Sequence, residues 1–117
     1  MAERKHKKYR RVDSSEIQGE GSYVLFESPG FDALAVVLKV AELEGIESGN
    51  VDISKLDEGT FDAVFDLLDR TVKEWNWVDD DGQPLPQPGE NDVIRKQLTQ
   101  EEQVFLISSM PLGEAKN

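Results

Sequence analysis

The chain has 117 residues, 24 acidic against 13 basic side chains, a net charge of −11, one histidine and no cysteine. That is the length of one domain. Its composition excludes disulfides and thiolate metal sites, and His6 has no second imidazole with which to build a multi-histidine centre. No run approaches the roughly 18 apolar residues of a membrane span. No apolar stretch follows the basic N-terminus as a secretory signal would require. The expectation is a cytoplasmic protein with no catalytic residues, metal or cofactor and no membrane partner.

Charge is divided unevenly. Residues 1–12 carry Arg4, Lys5, Lys7, Lys8, Arg10 and Arg11 against Glu3, a net of +5, while residues 13–117 carry a net of −16. The acidic body repels nucleic acid and anionic lipid, so only the basic segment could attract them. Residues 1–21 lack sustained apolar periodicity and read as a flexible basic arm. A helical domain over 22–112 and a C-terminal tail over 113–117 complete the expected organisation.

Within that domain, Tyr23, Val24, Leu25 and Phe26 form a short β-prone run stopped by Ser28-Pro29-Gly30. A helix is expected over 31–44, with Phe31, Leu34, Val37, Leu38 and Ala41 on one face. The connection over 44–59 is polar. It contains a brief apolar pair, Val51 and Ile53, and a capping-box pattern at Ser54-Lys55-Leu56-Asp57. The strongest helical pattern runs over 60–75. Thr60 serves there as N-cap, and Phe61, Val64, Phe65, Leu68, Val72 and Trp75 form the apolar stripe. Asp81-Gly82 marks a turn, and Pro84, Pro86 and Pro88 favour an extended path. Thr99-Gln100-Glu101-Glu102 is a capping box opening a last helix over 99–110. The fold class expected is mainly α: a small single domain of about three principal helices. A short extended segment, or a minor β-hairpin near Val51 or Trp77, would accompany them.

Site motifs are few. Placing Gly82 at the sixth position of an EF-hand loop puts Trp77 first and Pro88 last, and neither is a ligand. Gly19-Glu20-Gly21 lacks the Lys-Ser/Thr of a phosphate-binding loop, and no Gly-x-Ser-x-Gly elbow occurs. With 24 acids almost any carboxylate pair can be drawn, so no pair signals glycoside chemistry. Trp75 and Trp77 are read as core packing before binding anchors.

The segment Val72-Lys73-Glu74-Trp75-Asn76-Trp77-Val78-Asp79-Asp80-Asp81-Gly82-Gln83-Pro84-Leu85-Pro86 resembles tail assembly chaperones of long-tailed bacteriophages. In those proteins an amphipathic helix precedes a similar Trp-Asn…Asp…Gly-x-Pro-Leu-Pro stretch, and a short C-terminal helix follows. The entry at Glu20-Gly21-Ser22-Tyr23-Val24 is also similar to some members. The likeness spans 19–110, while the basic arm and the acidic 44–59 connection are not features of that family. The resemblance implies a mostly α-helical, non-catalytic protein. It would bind the aggregation-prone tape measure protein before the tail tube polymerises, be absent from the finished virion, and often have a longer frameshifted form. Helix-in-groove contact would draw on Phe61, Phe65 and Leu68, or on Trp75, Trp77 and Leu85. Self-association is compatible with that role. The alternatives are a small structural virion protein of the tail or head–tail joint, and a nucleic-acid-binding regulator using Arg4 to Arg11.

Overall fold

The computed structural model of the chain describes residues 8–30 and 57–110. The expected helix over 31–44, the Val51–Ile53 piece, the Ser54 to Leu56 part of the capping pattern and the tail lie outside them. So do the first seven residues of the arm.

The fold is a small mixed α/β domain and not a mainly α one, because a three-stranded antiparallel sheet stands at its centre. Strand β1 (Tyr9–Asp13) leads through a one-turn helix, α1 (Ser15–Gln18), into β2 (Tyr23–Glu27). Helix α2 (Glu58–Thr71) runs directly into β3 (Val72–Trp75), and the sheet order is β1-β2-β3. A short helix α3 (Val93–Lys96) and helix α4 (Gln100–Ser109) follow.

Strand β2 is central because of its composition. Val24 and Phe26 are fully buried on one face, while Tyr23, Leu25 and Glu27 stay partly exposed on the other. That is the period of two expected of a half-buried strand. Strand β1 needs less apolar surface, because it lies at an edge. Only Val12 of its residues packs against the core. Within the segment 1–21 that reads as a flexible arm, Tyr9–Asp13 forms β1 and Ser15–Gln18 forms α1.

The reading of one helix over 60–75 is corrected at both ends. Asp57 is the N-cap, its carboxylate accepting from the Thr60 N–H at 2.8 Å. At the other end Val72 is already extended, at φ −84° and ψ 115°, while its N–H still bonds the Leu68 carbonyl. Val72 and Trp75 remained in phase with the helical stripe because β3 is irregular. The pairing passes from Leu25–Glu74 to Phe26–Val72, leaving Lys73 as an extra residue. A bulge of this kind puts residues three apart on one face, which a sequence reader sees as helical spacing.

The inner face of the sheet packs against α2 through Val64, Phe65, Leu67 and Leu68, with Val93, Ile94, Leu106 and Ile107 closing the core. Arg95 on α3 staples the layers. Its guanidinium donates to Asp62 at 2.9 Å and to Asp66 at 2.8 Å, one turn apart on α2. The last helix follows expectation: Thr99 and Glu102 form a reciprocal capping box.

Because Phe65 is fully buried, Phe65→Ala is expected to cost about 3–5 kcal/mol in equilibrium denaturation. A cost below about 1 kcal/mol would show that the site collapses around the loss.

Candidate functional site

The segment that carries the family resemblance leaves β3 and folds back on itself. The Leu85 N–H donates to the Trp77 carbonyl at 3.0 Å and the Asp79 N–H to the Gln83 carbonyl at 2.8 Å, with Val78 bridged to Pro84. At the turn, Asp79 Oδ1 accepts from the N–H groups of Asp81 (2.9 Å) and Gln83 (3.0 Å). Gly82 sits at φ +78°, which costs a glycine little and other residues more. Pro84 and Pro86 alternate with Leu85, the residue whose N–H the hairpin uses.

Trp75 and Trp77 stack with centroids 4.7 Å apart and planes 2° from parallel, and both are about as buried as Phe65. Each indole N–H has an acceptor. Trp75 Nε1 donates to the Pro86 carbonyl at 3.0 Å, and Trp77 Nε1 to Ser14 Oγ at 2.9 Å. Ser14 Oγ in turn donates to Ser22 Oγ at 2.7 Å, inside the protein.

Three side-chain amides then hold the backbone where no strand neighbour continues. Asn76 Oδ1 accepts from the Tyr23 N–H and its Nδ2 donates to the Gly21 carbonyl. Gln87 Oε1 accepts from the Trp75 N–H at 3.4 Å and its Nε2 donates to the Trp75 carbonyl at 3.1 Å. Gln18 grips Val78 likewise, with Oε1 accepting from its N–H and Nε2 donating to its carbonyl; that Nε2 also reaches the Glu102 carboxylate. A primary amide carries both a donor and an acceptor, so it can stand in for a peptide group.

Of the six residues expected to bind a partner, Phe65, Leu68, Trp75, Trp77 and Leu85 are core, and Phe61 is partly buried, its ring 4.5 Å from that of Phe65. They come together, but facing one another. Gln18, Asn76 and Gln87 were not singled out from the sequence. Nothing in composition or spacing marks an amide as a clamp until its backbone partner is known.

Among the described residues, two clefts stand out at the surface. One, about 420 Å³, lies between α1, the Asp79–Asp80 turn and the start of α4, and holds Gln18, Asp79, Asp80 and Glu102. The other, about 370 Å³, lies beside the end of β2 and holds Lys8, Arg70, Lys73 and Glu27. In the second, Glu27 bridges Lys8 at 3.2 Å and Lys73 at 3.1 Å, which lowers its pKa. On α2, burial raises the pKa of Asp69 against the pull of Arg95, with Asp92 and Asp66 adding to the rise. Tyr23 is raised by donating its hydroxyl to Glu74. None of these groups lies in the acidic cleft. Among the described residues no helix is long and apolar enough to cross a membrane. No family model, curated protein or solved structure matches the chain.

Two outcomes follow. Gln87→Glu keeps the acceptor for the Trp75 N–H but turns a carboxylate towards its carbonyl; it is expected to destabilise by about 1–3 kcal/mol in urea denaturation. Asp69→Asn is expected to raise the melting temperature at pH 7, because the raised pKa means the ionised form is disfavoured in the folded state. Protonation of Asp69 relieves the same penalty. The gain should therefore shrink as pH falls through the raised pKa and vanish below about pH 3–4. A gain constant down to that pH would assign the effect to something other than ionisation.

Proposed function

We propose that this chain is a non-catalytic protein-binding factor of the tail assembly chaperone type. It holds the tape measure protein of a long-tailed bacteriophage soluble in the host cytoplasm until the tail tube forms around it. The observation that carries this reading is the resemblance at 72–86, together with what those residues do. Trp75, Asn76, Trp77, Asp79, Gly82 and Leu85 each hold a backbone turn, a stack or a core position. The mostly α-helical architecture that the resemblance implied is not part of this proposal, since the sheet overturns it.

The burial of Trp75, Trp77, Phe65, Leu68 and Leu85 favours a contact through other residues than the aromatic stripe. The client is met by the polar surface. Charge supports the holding role, because a complex coated with copies of a chain at −11 repels its like and stays dispersed. Several copies along one client would add avidity to weak individual contacts.

The test is to sequence the DNA downstream of this gene and to co-express the chain with the product of a long helical reading frame found there. The helical protein is expected in the soluble fraction only when this chain is present, and the two should co-purify. If it stays insoluble at every ratio, the chaperone reading fails. Mass spectrometry of purified particles separates the alternative: a structural tail protein persists in the virion, and a chaperone does not.

A further inference from the structure

The two edges of the sheet are treated differently. Beyond β3, the outward N–H and C=O of Trp75 are taken by Gln87, and the C=O of Trp77 beyond it by the Leu85 N–H. The prolines flanking Leu85 have no N–H to offer a further strand, so that side cannot grow. Among the described residues the β1 side has no such device. The Ser28 N–H donates to the Lys8 carbonyl at 2.7 Å and the Ser14 N–H to the Ser22 carbonyl at 3.1 Å. In this antiparallel register the even-numbered residues of β1 bond to β2, so the N–H and C=O groups of Tyr9, Arg11 and Asp13 point outwards. Among the described residues no strand pairs with them. Tyr9 is also one of the two large apolar side chains most exposed there, at 49%.

We infer that the open edge of β1 is a docking site for an extended acidic segment of a partner protein, which adds to the sheet as a fourth strand. Charge selects the occupant. Lys8, Arg10 and Arg11 stand on or beside β1, and Lys73 and Arg70 stand nearby around the 370 Å³ cleft, against three local acids: Asp13, Glu74 beside Tyr23, and Glu27, which bridges Lys8 and Lys73. Arg11 is held in place by stacking on Tyr23, 4.1 Å from the ring centre. An incoming strand presents its own peptide groups to Tyr9, Arg11 and Asp13, and its carboxylates lie beside Arg11 and Lys8. A second copy of this chain is a poor occupant. Antiparallel pairing centred on Arg11 would set Arg11 against Arg11, and like charges directly opposite destabilise a ladder. Basic side chains on an edge also discourage indiscriminate strand pairing, so the edge admits acidic segments and resists others. This inference stands apart from the identity of the helical client.

The probe is a short peptide alternating Glu and Val, about eight residues long, titrated into the full chain while amide exchange is followed by NMR. Saturable binding is expected to slow exchange at Tyr9, Arg11 and Asp13 and to leave Arg10 and Val12, already bonded to β2, unchanged. Affinity should fall several-fold as salt rises from about 50 to about 300 mM. Tyr9→Pro removes one outward N–H at the first strand position, where proline is tolerated, and should weaken binding about five- to tenfold without lowering the melting temperature. If that variant fails to fold, Arg11→Glu carries the test: it keeps every backbone donor and should exchange preference for the Glu-Val peptide for preference for a Lys-Val one. The inference is overturned by absence of binding at millimolar peptide, or by equal binding of the Lys-Val peptide to the unaltered chain. Binding of a DNA or RNA oligonucleotide where the Glu-Val peptide does not bind overturns it too, and makes the basic strand a nucleic-acid contact.

Discussion

Two indole N–H groups cannot leave water without finding acceptors, and much of the arrangement around Trp75 and Trp77 follows from supplying them. One acceptor, the Pro86 carbonyl, is brought by folding the chain back through the Gly82 turn. The other, Ser14 Oγ, is brought by the β1–α1 junction, and it occupies that buried place because Ser22 completes its own hydrogen bonding. The stacked pair thus fixes the hairpin on one side and the N-terminal strand on the other. Removing either partner would strand a buried polar group, which costs more than the bond itself contributes.

The amide clamps extend the same logic to the backbone. The three-stranded sheet is small, and its strands end before the chain leaves the core. Gln18, Asn76 and Gln87 complete the ladders without adding strands. The turn also engages Oδ1 of Asp79, so one oxygen of the aspartate run is already committed to two backbone N–H groups. The surface left over is charged: acidic along α2 and basic at β1. Among the described residues the large aromatic side chains other than Tyr9 contribute little to that surface.

Parts of this fold were legible in the residues. The capping box at Thr99 and Glu102 announced α4, the β-prone run 23–26 announced β2, and the apolar stripe of 61–68 announced α2. What was not legible has specific causes. Lys73 bulges out and gives a strand the spacing of a helix. An edge strand such as β1 buries one side chain, Val12, in part, and so leaves almost no hydrophobic signal. The candidate site suffered from a different ambiguity. Phe65, Leu68, Trp75, Trp77 and Leu85 satisfy the description of a binding stripe and of a core equally well, and only their packing partners separate the two.

The hydrogen bond between Ser14 and Trp77 joins residues 63 apart in the chain, and that between Gln18 and Glu102 joins residues 84 apart. A ribosome delivers these partners one after the other. The β1–β2 pairing can form as soon as residue 27 has cleared the exit tunnel, but the serine pair then has no indole to receive. Gln18 likewise has no peptide to grip until Val78 emerges, and no carboxylate to meet until Glu102 does. The segment 8–30 therefore waits, incompletely satisfied, until those partners emerge. Its final closure is a late event, set by translation of the C-terminal helix more than by the speed of local folding.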